Sequence, residues 1–316
     1  MPFGRYLLRR VLFALLLVFI VSSAALLLTL VAPGAFDPDD DWTPTRNPAF
    51  ERPIVVQYLD WLSRAVRFDF GDSLLYSRPV ADLLRERAMN TAFLATTALG
   101  VATIIGIPLG IYTGTRRRGW GVRLVRLSSI LFLSTPPLLA SLGLIVVAAR
   151  TGWFPIGGMT SAGAQDASWA YWFGDVLRHV ALPSLALALP LAATLERLQS
   201  HAMTVALHEP FVSAAAARGL SADRAALKHG WPVSLGAVLG VYGLMIGTLF
   251  SGSFIVEVVT SWPGLGRLMY EGLRARDLYL VAGCSAAGAV FLAAGTLLSD
   301  VLLAAADPRI RLGIRT

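Results

Sequence analysis

The chain has 316 residues, 55% of them hydrophobic and only 15% charged. Soluble domains carry about 25% charged residues, so this composition excludes an ordinary soluble domain and points to the membrane. The formal charge is +7, from 26 arginines and one lysine, Lys228; the lone cysteine, Cys284, excludes an internal disulfide, and His179, His201, His208 and His229 lack close metal-ligand spacing.

A bilayer-spanning helix needs about 20 apolar residues. The runs that qualify are Val11–Val31, Thr91–Thr113, Leu127–Ala149, Val180–Leu195, Val233–Val256 and Tyr279–Ala306, which predicts an all-α integral membrane protein with six spans. The first follows Arg5, Arg9 and Arg10. Its apolar core exceeds the roughly 7–15 residues of a signal peptide, so it reads as an uncleaved helix.

The loop at 33–90 has two parts. Asp37 to Asp41, with Pro38 and Pro44, reads as a turn-rich acidic segment. Ile54–Phe68 carries Val55, Val56, Tyr58, Leu59, Leu62, Ala65 and Val66 at helical spacing. This predicts an amphipathic helix that lies on the membrane surface, packs on the spans or meets a partner protein.

Prolines recur inside the next three spans. Pro108 lies in Gly106-Ile-Pro-Leu-Gly110, Pro136 and Pro137 follow Ser134-Thr135, and Pro183 and Pro190 share one face of the fourth span. That span is expected to reach about Gln199, with Glu196 and Arg197 near its end. Each proline removes a helical hydrogen bond and tends to kink the helix. All five are candidate hinges in a bent wall around a pathway. Static packing is the alternative, with Gly106 and Gly110 as a small-xxx-small contact.

Between the fourth and fifth spans lies Glu209-Pro-Phe-Val-Ser-Ala-Ala-Ala-Ala-Arg-Gly-Leu-Ser, continuing to Trp231-Pro232. Pro210 suits the first position of a helix. Phe211, Ala214, Ala215 and Arg218 are expected on one face. Gly219 suits the left-handed end of that helix. Ser221 is placed to cap the next helix, and Pro232 stands where a membrane helix would begin. The result is a short helical knob, fitted to be gripped by a soluble partner.

After the fifth span, Ser261-Trp-Pro-Gly-Leu-Gly266 is too apolar for a free loop and is expected to fold back as an ordered turn. Asp300 lies inside the last span, about 9 Å by helical rise from its end. It is either a functional carboxylate or the partner of a nearby arginine.

Charge gives an orientation. With the N-terminus inside, the segments 1–10, 114–126, 196–232 and 307–316 hold 15 of the basic residues and only Glu196, Glu209, Asp223 and Asp307. The positive-inside rule therefore predicts both termini, and the knob, on the cytoplasmic side.

The run Ser213-Ala-Ala-x3-Gly219-x9-His229-x-Trp-Pro232 resembles the EAA loop of bacterial ABC-importer permeases, Glu-Ala-Ala-x3-Gly-x9-Ile-x-Leu-Pro. Ala214, Ala215, Gly219 and Pro232 match; Ser213, His229 and Trp231 depart from the pattern. Tyr6-Leu-Leu-Arg-Arg10, Ala32-Pro-Gly34, Phe70-Gly-Asp-Ser73, Gly106–Gly110, Phe250-Ser-Gly-Ser253, Ser261–Gly266 and Asp307-Pro-Arg-Ile-Arg311 also resemble the dipeptide/oligopeptide/nickel permease family, in that order along the chain.

The resemblance implies a type I importer permease of the bacterial inner membrane. Its partners would be a second permease subunit, identical or homologous, two ATPase subunits and an extracytoplasmic substrate-binding protein. Phe211, Ser213, Ala214, Ala215, Arg218, Gly219, Leu220 and Pro232 would form the ATPase-coupling loop. Ser261, Trp262, Pro263 and Gly264 would form an outer gate or docking surface. The expected organisation is a first helix (1–32), an external loop (33–90), a five-helix core (91–306) containing the coupling loop (201–231), and a tail (307–316).

No Gly-x4-Gly-Lys-Ser/Thr loop is present, and Lys228 sits between Leu227 and His229. The chain is therefore expected to be non-catalytic and to bind no cofactor, with ATP and magnesium held by the partner subunits. The basic residues flank spans, which argues against nucleic acid and for lipid as surroundings. The competing classes are a secondary transporter or channel, and a membrane scaffold; the first should carry mid-span charge, and the second needs no prolines within spans.

Overall fold

The computed structural model describes residues 2–31, 53–116 and 118–306. The expectations for Ala32–Gly34, for the acidic segment 37–44, for 307–316 and for the Asp300 side chain lie outside what is described.

Among the described residues the regular elements are helices and one hairpin of two two-residue strands. The elements are α1 (Pro2–Val31), α2 (Ile54–Ala65), β1 (Asp72–Ser73), β2 (Arg78–Pro79), α3 (Val80–Thr115), α4 (Trp120–Leu133), α5 (Pro137–Thr151), α6 (Trp169–Ala206), α7 (Pro210–Ala217), α8 (Ala222–Ala225), α9 (Trp231–Leu239), α10 (Tyr242–Val259), α11 (Leu265–Arg274) and α12 (Leu278–Ala306). Among the described residues, Leu8–Leu28, α3, α6, α10 and Leu278–Leu298 are each long and apolar enough to cross a membrane.

The expected third span is a pair. Helices α4 and α5 qualify together but meet at 108°. Pro136 takes extended geometry (φ −60°, ψ 149°) as the N-cap of α5, and Pro137 is its first residue. A proline disfavours helical geometry in the residue before it, so two in a row stop one helix and start another. Pro108 lies within unbroken α3, and Pro183 and Pro190 within unbroken α6. The expected fifth span is divided at Gly240–Val241, between α9 and α10.

Among the described residues, 2–8, 93–262 and 295–306 fall in one compact unit, and 9–31 and 53–92 with 263–294 in another. In the first unit, Leu94, Ala98, Val180, Leu187, Leu249, Val256 and Trp262 make one apolar cluster. Ala102, Ile107, Ala188, Leu195, Val238 and Met245 make another. Helix α3 meets α6 through Gly106, Gly110 and Gly114. A Cβ on these glycines would come within 2.6, 2.6 and 2.7 Å of Ala192 O, Gln199 Cβ and Ser200 O respectively. The packing expected at Gly106 and Gly110 is present and extends a further turn, since small residues four apart let two backbones approach.

In the second unit, Trp61 of α2 is buried with Leu26 and Ala282, flanked by Tyr58, Phe70 and Tyr279. The Tyr58 hydroxyl donates to Ser23 Oγ at 2.9 Å. Of the placements open to this helix, packing on the spans is therefore realised on its Tyr58–Trp61 face. Val55 and Leu59 remain exposed. Asp277 is fully buried. It caps α12 by accepting from Leu280 N at 3.2 Å, and it also accepts from Ser73 Oγ at 2.6 Å and Leu75 N at 3.2 Å. The sequence Phe70-Gly-Asp-Ser73 thus serves to seat the hairpin on the start of α12.

Candidate functional site

The loop after α6 is built as a closed helical knob. Pro210 opens α7, where its missing N–H costs nothing. Gly219 ends the turn with φ +97°, the left-handed geometry that disfavours a side chain. Leu220 N then donates to Ala215 O at 3.3 Å, the six-to-one bond of a Schellman ending. The accompanying apolar contact is present: Val212, Ala215 and Ala225 are buried together, with Leu207 and Leu220 against them.

The expected single face divides. Ala215 turns inward with Val212, whereas Phe211, Ser213, Ala214 and Arg218 face outward. Phe211 is 45% exposed. Arg218 lies back along α7, its Nε donating to Ala214 O at 3.2 Å. Ala215 lies at the edge between the two faces, and its packing with Val212 and Ala225, with Leu207 and Leu220 against them, draws it into the interior.

Ser221 occupies the N-cap of α8, but its side chain makes no capping bond; its carbonyl accepts from Ala225 N at 2.9 Å. From α8 the chain passes through a π-helical turn, Ala226–Gly230, into α9 without a break. Pro232 is therefore the second residue of α9, well inside a run that begins at Ala222. Leu220, Arg224, Leu227, Lys228 and Trp231 line an open cavity of about 560 Å³ beside the knob.

The segment after α10 is ordered. Ser261 has φ +54° and is exposed. Trp262 is fully buried and stacks on Phe93 with ring centroids 6.3 Å apart. Asn90 Nδ2 donates to Pro263 O at 2.8 Å, and Leu265 N donates to Thr91 Oγ1 at 2.8 Å. Gly264 is buried at the N-cap of α11. Of this candidate docking group, Ser261 and part of Pro263 present a surface, and the Trp262 side chain does not.

In the sequence Glu196 stands near the expected end of the fourth span. It is instead 2% exposed within α6. Thr113 Oγ1 donates to its Oε1 at 2.5 Å, and Ser129 Oγ donates to its Oε2 at 2.8 Å. Nearby on α6, Gln199 is fully buried, and its Nε2 donates to Ser234 Oγ at 2.7 Å. These partners lie 35 to 83 residues away, and no local pattern signals them.

The chain thus combines spans of membrane length, a helix pair broken at two prolines, and a Schellman-ended knob between α6 and α9. A family model described as "Binding-protein-dependent transport system inner membrane component" matches residues 106–312. The oligopeptide transport system permease protein OppB of Mycobacterium tuberculosis (strain ATCC 25618 / H37Rv) is 34% identical, over 97% of this chain and 99% of its own. The oligopeptide transport system permease protein AppB of Bacillus subtilis (strain 168) is 33% identical over 82% of this chain and 81% of its own. The glutathione transport system permease protein GsiC of Escherichia coli O1:K1 / APEC is 33% identical over 83% and 81%. Matched by that family over more than half its length, and by such relatives over most or all of it, the chain belongs to the inner membrane permease components of binding-protein-dependent ABC transport systems and is a multi-pass membrane protein.

Proposed function

We propose that this permease imports peptides, or small solutes of peptide character, across a bacterial inner membrane. The peptide reading rests on the names of its relatives. In this reading both termini and the loop 207–231 are cytoplasmic, in accord with the excess of basic residues in those segments.

The observation that carries the reading is the outward face of α7. Phe211, Ala214 and Arg218 form a rigid, exposed ridge, held from below by Val212 and Ala215. An ATPase subunit grips this ridge, and its nucleotide-driven movement is passed to α6 and α9, the helices on either side. Small residues beside Phe211 let the partner approach the backbone closely. A second permease subunit completes the pathway, a second ATPase drives it, and an extracytoplasmic binding protein delivers the solute. ATP and magnesium stay on the ATPase subunits; closure of those subunits opens the cavity outward, and hydrolysis returns it inward.

The test places a cysteine at Ala214 in a Cys284→Ser background and adds a membrane-impermeant thiol reagent to vesicles of either orientation. Labelling confined to inside-out vesicles, and blocked by added ATPase subunits, is the expected result. Labelling from the external face would overturn the reading.

A further inference from the structure

Helix α6 carries the knob, and α3 and α4 both pack on it, each also donating one hydrogen bond to Glu196. Helix α3 is held by close packing: Gly106, Gly110 and Gly114 lie directly against Ala192, Gln199 and Ser200. No polar group needs to be broken for that pair to move as one body. Helix α4 is held at Ser129, whose hydroxyl donates to Glu196 Oε2 at 2.8 Å. Both residues are shielded, Ser129 at 4% and Glu196 at 2% exposure, so water does not compete for the bond. The same carboxylate is steadied on its other oxygen by Thr113 of α3 at 2.5 Å. Glu196 stands ten residues before Ala206, the end of α6, about 15 Å along the axis. Ser129 stands five residues before the Ser134–Pro136 break that turns α4 into α5 by 108°.

We infer that the Ser129–Glu196 hydrogen bond is a switchable latch through which movement of α6 reaches the α4–α5 bend. A helical serine has a second acceptor within reach, a main-chain carbonyl one turn earlier. Its neighbour Ser128 already bonds in that way, donating to Val125 O at 2.9 Å. Ser129 can therefore let go of Glu196 without leaving a buried hydroxyl unsatisfied; the carboxylate then loses one donor, so the closed arrangement is the resting one and the open one is reached only when α6 is pulled. Thr113 keeps the carboxylate supplied with one donor while the latch is open. Glu196 acts as a positioning residue, and the α3–α6 glycine contact stays shut throughout.

The latch rests on the importer reading, and the experiment separates the two. The full complex is reconstituted with its ATPase and binding protein, and solute moved per ATP hydrolysed is measured for wild type, Ser129→Ala, Ser129→Thr and Thr113→Val. The expected result is a loss of about tenfold in that ratio for Ser129→Ala, the factor one hydrogen bond to a carboxylate carries. Ser129→Thr, which keeps the hydroxyl, retains the ratio. Thr113→Val lowers the melting temperature and leaves the ratio near wild type, because glycine packing still joins α3 to α6. Should Ser129→Ala fail to assemble, Glu196→Asp, which withdraws the carboxylate by one methylene, carries the same expectation. Solute-stimulated hydrolysis in wild type together with an unchanged ratio in Ser129→Ala overturns the latch and leaves the importer reading standing. An equal loss in Thr113→Val also overturns it, since the cluster would then be structural only.

Discussion

Gly110 of α3 sits so close to Gln199 of α6 that a Cβ on the glycine would lie 2.6 Å from Gln199 Cβ and 2.7 Å from the Glu196 carbonyl oxygen. A methyl group there must push the two helices apart. Gly110→Ala is expected to destabilise the protein by about 1–3 kcal/mol, as overpacking does. Gly100, on the same helix, has nothing within 4 Å of the equivalent position. Gly100→Ala is therefore expected to be neutral or slightly stabilising. Thermal denaturation in detergent distinguishes the two.

Tyr76 and Glu271 give a prediction in pH. The Tyr76 hydroxyl donates to Glu271 Oε2 at 2.5 Å. Burial, reinforced by this bond and by the charge of Glu271, pushes the Tyr76 hydroxyl from 10.0 up to about 12. The folded state thus favours the protonated phenol. Its contribution to stability is complete below pH 10 and is lost as pH rises toward 12. Between these values the melting temperature should fall more steeply for the wild type than for Tyr76→Phe. Phenolate absorbance should show one late-titrating tyrosine that this variant lacks.

Asp277 joins two parts of its unit with one carboxylate. Removing it strands Ser73 Oγ and the amides of Leu75 and Leu280, all of which donate to it. Asp277→Ala is expected to cost about 3 kcal/mol, because buried donors lose their partner. Ser73→Ala should cost less, about 1–2 kcal/mol, since the amides of Leu75 and Leu280 keep their partner and only that of Tyr76, which donates to Ser73 Oγ at 3.2 Å, loses one. Protease resistance of the 66–80 segment gives a local readout of the same effect.

How much of this was legible in the sequence depends on the range of the interaction. The apolar runs that became α1, α3, α6 and α12 are properties of contiguous residues. So are the proline and glycine that open and close α7. In the third span the sequence marks Pro136 and Pro137 as candidate hinges, but that the helix stops there, and the 108° angle, depend on what α4 and α5 each pack against. Spacing alone puts Ala215 with Phe211, Ala214 and Arg218, but packing with Ala225 and Leu207, from the flanking segments, turns it inward. The burial of Glu196, Trp262 and Asp277 was hidden for the same reason. Glu196 meets donors 67 and 83 residues away, and Ser73 reaches Asp277 across 204.

Gly219 offers a test of the knob as a mechanical part. Its φ of +97° is incompatible with proline, whose ring fixes φ near −65°. Gly219→Pro should abolish solute-stimulated ATP hydrolysis while leaving membrane insertion intact. Gly219→Ala, strained by about 1 kcal/mol in left-handed geometry, should weaken coupling without abolishing it.

The central claim is that the outward ridge of α7 is the handle for an ATPase subunit. The most direct measurement places a photo-crosslinking amino acid at Phe211, which is 45% exposed on that ridge, and irradiates the assembled complex. The account predicts an adduct with the ATPase subunit whose yield changes between nucleotide-free and ATP-bound states. An adduct with the extracytoplasmic binding protein, or a yield indifferent to nucleotide, would contradict it.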